Sequence, residues 1–205
     1  MPNKNGSVYG LTILSPITRS VHGSESHSLA IRQCLAKMPR DSESPFAKVS
    51  STHMARLVVM DDVVFFGAPS HEEHLRSKYL IFESNFDGDL DEYLKRLANE
   101  ARQEVHEVWR HCEGYPGLDD KEAFVRYMKK CQVETTFFFA DVNDKTVEQT
   151  LQALQAQSAV AAFIEKNQGK PPEELQKAFQ RFIESLQNAR PQPPGSVKGK
   201  ELADE

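Results

Sequence analysis

Cysteine is scarce in this sequence: Cys34, Cys112 and Cys131, an odd number at wide spacing. That pattern excludes a disulfide framework and fits a reducing, cytoplasmic setting. With no CxxC pair, a structural zinc motif is missing as well. No apolar run approaches the ~18 residues of a membrane span. The opening residues, MPNKNGSVYG, lack the basic-then-apolar pattern of a secretory signal. Also missing are GxSxG, a Walker loop and a GxGxxG following a strand, so no catalytic residue is assignable by motif.

What remains is an ordinary globular composition. The chain has 205 residues, 39% of them apolar, enough for one domain with an added element. Charge is uneven. Residues 1–60 carry 7 basic and 3 acidic groups, residues 61–120 carry 6 and 15, and residues 121–205 carry 12 of each. The acidic middle third would repel a phosphate backbone, and no basic stripe with interleaved aromatics offsets it. Nucleic acid is therefore not an expected partner.

Along the chain, SVYGLTIL (7–14) reads as a strand, and 26–38 as a helix capped by Ser26. A strand follows over 52–66, with Asp61 and Asp62 as a break in it; 67–77 is a loop and 78–84 another strand. From Asp89, apolar residues at Leu90, Tyr93, Leu94, Leu97, Ala98, Ala101, Val105, Val108, Trp109 and Cys112 share one face of a single long helix, which Gly114, Pro116 and Gly117 stop. A shorter helix runs from Asp119 to about Lys130. VETTFFFADV (133–142) reads as a strand and 144–166 as a helix. After Pro171 and Pro172, a further helix carries Leu175, Ala178, Phe179, Phe182 and Leu186 on one narrow stripe.

The order β-α-β-β-α-β predicts an α+β, ferredoxin-like fold: a four-stranded antiparallel sheet, an inserted helix before the last strand, and an extra C-terminal helix. The domain spans 1–166, the amphipathic helix 167–188, and a disordered tail 189–205. Consecutive apolar residues in LVVM, YLIF and TFFF predict that both sheet faces are buried. A sheet-to-sheet homodimer would supply the missing cover. So would the last helix, which reads as a lid on its own domain, a dimer element or a helix offered to a partner.

Candidate polar contacts for a ligand are His53, Arg56, His111 and Tyr115, around a cavity lined by Leu57, Val59, Phe82 and Phe138. His53 shares a strand face with Ala55 and Leu57. Arg56 on the opposite face is expected to pair with Glu83, and His111 to stand at a pocket edge beside Trp109 and the GYPG turn. His106 is expected to be solvated. His71 and His74 have HxxH spacing, but no third ligand stands nearby, so no metal is expected. Asp87, Asp89 and Asp91 imitate a calcium loop, yet Glu92 replaces its glycine and Ala98 its bidentate glutamate.

The segments THMARLVVMDD, YLIFESNFDGDLDEYL and VHEVWRHCEGYPG look like those of small uncharacterised bacterial proteins, and over residues 7–166 the element order resembles the dimeric α+β-barrel superfamily. That resemblance implies a homo-oligomer. It also implies one of three activities: a ligand-binding module, a cofactor-free oxygenase, or a haem-dependent, peroxidase-like enzyme. In the haem case His111 or His53 would be the axial ligand. The GxxDG motif of dye-decolorising peroxidases is missing, so no residue carries over. The expected function is a homodimer that binds a small apolar ligand or a partner protein, with no cofactor required. The alternatives are the enzyme and a scaffold that docks through its C-terminal helix.

Overall fold

The computed structural model describes residues 3–22, 25–64, 67, 74–191 and 193–196. Alternating burial along Val8–Pro16 (β2) and Tyr79–Asp87 (β6) makes two strands with one inward face each. They pair antiparallel from Val8 opposite Asp87 to Pro16 opposite Tyr79. Thr52–Met60 (β5) pairs with the other side of β6, and the short β1 (Lys4–Asn5) with β2. The result is a four-stranded antiparallel sheet in the order β1-β2-β6-β5. A separate ribbon joins β3 (Val21–His22) to β4 (Glu25–Ser26).

Leu11, Ile13, Leu80, Phe82 and Phe86 line the covered face of the sheet and are 0–2% exposed. Against them pack α1 (His27–Lys37), the one-turn α2 (Pro45–Lys48), α3 (Leu90–Glu100), α4 (Arg102–Trp109) and α5 (Lys121–Lys130). Ser26, Asp89 and Asp120 cap α1, α3 and α5 by accepting backbone N–H bonds. The long helix expected from Asp89 is two helices, broken at Ala101, whose φ of −116° leaves the helical range. Trp109 fills the centre with its ring edge-on to Phe82, and its indole N–H donates to Ser15 Oγ at 3.2 Å.

The strand expected over 133–142 does not form. The free edge of β2 is already divided: Leu14 N–H donates to Cys131 C=O and Val133 N–H to Thr12 C=O, but Gly10 N–H donates to Asn3 C=O in the β1 hairpin. Past Val133 the chain meets β1 instead of β2. Side chains hold it there, with Thr135 N–H donating to Asn3 Oδ1 and Asn5 Nδ2 donating to Phe138 C=O. The fourth strand of the sheet is β1.

The second sheet face is open, contrary to the expectation that both are buried. Met54 is 67% and Val58 40% exposed on it. Phe138 covers only the end at Gly10, where a Cβ would come within 2.7 Å of its ring. Neither late helix covers this face. Instead α6 (Val147–Asn167) and α7 (Pro172–Gln187) form a hairpin and pack on each other through Phe163, Phe179 and Phe182. No α7 residue is buried, and α6 buries only Val147 and Asn167. No helix among the described residues is long and apolar enough to cross a membrane.

Candidate functional site

The four candidate site residues do not converge. His53 is displaced by a β-bulge: Thr52 pairs with Phe86 and Met54 with Asn85, so His53 is the extra residue between them. That shift puts Thr52, not His53, on the covered face with Ala55 and Leu57. There Thr52 Oγ1 donates to Val49 C=O at 2.8 Å and lies 3.3 Å from the buried Tyr93 hydroxyl. His53 Nε2 reaches Asp87 Oδ1 at 2.8 Å. The second oxygen of Asp87 accepts the Val147 N–H at 2.8 Å, so one carboxylate joins the β5 bulge to the first turn of α6.

Arg56 lies on the open face and forms the expected ion pair with Glu83, Nε to Oε2 at 2.7 Å. Its side chain is 70% exposed, so the pair is a surface one worth little stability. Around it, Gly10, Thr12, Met54, Asn85 and Phe138 outline a shallow hollow of about 380 Å³.

His111 is not at a pocket edge. It is 2% exposed, with its Nδ1 2.9 Å from Nδ1 of the buried His27. The other ring nitrogen of His111, Nε2, lies 3.4 Å from Arg110 Nε, which donates to it. The pair ties α1 to the end of α4, while Thr18 N–H donates to the His111 carbonyl. Its ring lines neither the hollow around Arg56 nor the groove beside β5. Tyr115 is half-buried among Phe124 and Tyr127, with its hydroxyl 3.3 Å from His106 Nδ1. Burial pushes its phenol up to about 12. His106 is exposed as expected, but partnered.

The acidic triplet has structural employment: Asp87 as above, Asp89 as the α3 cap, and Asp91 in an ion pair with Lys129 at 2.8 Å. His74 Nδ1 bonds Asp62 Oδ2 at 2.8 Å, and His71 lies outside the described residues. Among the described residues no three side chains are placed to hold a metal ion. All three cysteines are free thiols, and burial pushes Cys112 up to about 12, out of the reactive range.

A groove of about 560 Å³ runs along β5, bounded by Leu35, Met38, Phe46, His53, Ala55 and Leu57. Its strand wall is an unpaired edge, and the hydrogen-bond phase shows this. On β2, Gly10, Thr12 and Leu14 turn their backbone groups away from β6. Leu11, Ile13 and Ser15 therefore bond β6, at Ser84, Phe82 and Leu80. That leaves Ile81 and Glu83 to bond Val58 and Arg56, so Ala55, Leu57 and Val59 point their N–H and C=O groups outward. Arg32 Nη2 takes the Val59 carbonyl at 3.3 Å, while those of Ala55 and Leu57 have no partner among the described residues. Sequence reasoning missed this site because strand order decides which strand is the edge. At the mouth of the groove, residues 193–196 form a turn closed by Ser196 N–H to Pro193 C=O at 3.3 Å. Gly195 sits so close to Asp41 that a Cβ would lie 2.8 Å from its backbone. Within the segment 189–205 expected to be a disordered tail, this turn lies against Asp41, while residues 192 and 197–205 lie outside the described residues.

Compared with protein-family models, curated proteins and solved structures, the chain matches none.

Proposed function

We propose that this protein is a partner-binding module that takes an extended polypeptide segment along the free edge of β5. The carrying observation is the outward-facing backbone of Ala55 and Leu57 beside an apolar wall of Leu35, Met38 and Phe46. An added strand would satisfy those groups, and alternate side chains would fill the apolar wall. The order β2-β6-β5, with the chain returning beside β2 at residues 132–133, supports a ferredoxin-like core whose fourth strand is cut to a short contact. Three free thiols support a cytoplasmic setting.

The test is a display library of random twelve-residue peptides screened against the intact chain. Hits should slow amide exchange at Ala55 and Leu57 at least tenfold and leave the open-face residue Val58 unchanged. Hits that protect other segments, or a library without binders at tens of micromolar, would overturn the reading. A Met38→Asp variant should weaken each genuine hit about tenfold.

A further inference from the structure

The hairpin presents a second surface, independent of the β5 groove. Residues 149–164 of α6 contain no charged side chain across sixteen positions. One side of that stretch faces α7 through Phe163. About a quarter-turn round the helix from Phe163 stand Thr150, Ala153, Gln157, Val160 and Ile164, spaced 3, 4, 3 and 4, the spacing of a coiled-coil seam. Leu154 and Ala161 flank it. All but the half-buried Thr150 are exposed, Leu154 at 53%, Val160 at 40% and Ile164 at 53%. A water-facing helix side without charge is unusual, since charge depletion marks the centre of an interface.

We propose that this seam pairs with the same seam of a second copy of the chain, antiparallel about a twofold axis at Gln157. Three features select a second copy over a foreign helix. An uncharged stripe does not repel itself, and between residues 144 and 188 the hairpin carries 5 basic and 6 acidic groups, so its flanks are near neutral as well. The pattern is complementary under a twofold: Ala153 falls opposite Val160 of the partner helix, and Thr150 opposite Ile164, small against large. At the axis the two Gln157 carboxamides can each donate and accept, a reciprocal bond that fixes register as a single polar core residue does in coiled coils. The small residues Ala153 and Ala161 let the helices approach to about 8 Å. The seam is about 22 Å long at 1.5 Å per residue, so the contact is a modest one. This dimer leaves the sheet face open and differs from the sheet-to-sheet dimer expected from the sequence.

Sedimentation of the full chain, with cysteine cross-linking, tests it. The natural chain should sediment as twice its 23.2 kDa mass at 100 μM. Ile164→Asp should raise the dimer dissociation constant at least tenfold with an unchanged circular dichroism spectrum. Gln157→Cys should give a disulfide-linked dimer under mild oxidation. Ala153→Cys should not, because residues four from the axis stand about 12 Å apart in an antiparallel pair. A monomer at 100 μM, a dimer that Ile164→Asp leaves intact, or cross-linking at position 153 would each overturn the proposal. Failure here leaves the β5 groove untouched, since peptide protection of Ala55 and Leu57 is read on the other side of the Asp87 junction.

Discussion

Helices α3 and α7 are equally amphipathic in sequence, yet they meet opposite fates. The eleven residues of α3 bury five, Leu90, Tyr93, Leu94, Leu97 and Ala98, whereas the sixteen residues of α7 bury none. The difference lies in what each stripe finds. α3 shares the core with the sheet residues Leu80, Phe82 and Phe86, and Tyr93 stacks on Phe86 at 3.7 Å between ring centroids. α7 finds one other helix, and two helices cannot enclose each other's apolar faces. An apolar stripe therefore predicts that a helix needs a partner, without saying that its own domain provides one.

The largest effect should come from hollowing the first region. Phe82 is fully buried between Phe46 and Trp109, and Phe82→Ala should cost about 3–5 kcal/mol in denaturant unfolding. Phe182→Ala, in the hairpin, should cost about 1 kcal/mol or less, because that ring is already partly in water. Equal losses would mean that the hairpin unfolds as part of the core and that the contrast between the two regions is false.

The junction between the regions should respond next. Asp87 holds both His53 and the Val147 N–H, so Asp87→Ala removes a bond to the bulge and one to the start of α6. We expect a loss of about 1–2 kcal/mol, by analogy with a helix cap. Amide exchange at Val147 should quicken tenfold while Phe82 and Ile13 remain as protected as before. If sheet amides quicken equally, the carboxylate supports the domain and not the joint.

The sequence disclosed most of the domain and little of the site. The cap at Ser26, the helix start near Asp89, the strands around Thr12, Phe82 and Leu57, and the Arg56–Glu83 pair are local or neighbour-strand features, which spacing along the chain reports; the helix start expected at Asp119 falls one residue later, with Asp120 as the cap. The His53 bulge could not be read, because alternation alone places His53 with Ala55 and Leu57. Nor could the loss of the 133–142 strand, since its apolar run is a good strand and the competitor is Asn3, some 130 residues away. His111 was misplaced for a related reason: a long helix puts it on an exposed flank, but it lies in the turn just past α4, where His27 arrives from α1 to cover it. The open edge of β5 follows from strand order, a global property that no window contains.

The smallest effect belongs to a segment that is neither core nor hairpin. Asp62 closes the loop after β5: Oδ1 accepts the N–H groups of Leu75, at 2.7 Å, and Val63, at 2.9 Å, and Oδ2 bonds His74. These bonds favour the carboxylate and hold Asp62 at about 2, below the ordinary 3.8. A carboxyl lowered on folding contributes above its ordinary value and loses that contribution as pH falls through the folded one. The clasp should therefore stay closed at pH 4 and open as pH drops towards 2. The Leu75 amide proton shift should titrate with a midpoint near 2, and Asp62→Asn should abolish that step. Because the carboxylate is solvent-exposed, global stability should barely move over the same range. A midpoint near 4 would mean that the loop is open in water, and that order outside the buried core of this protein requires more than backbone hydrogen bonds to one side chain.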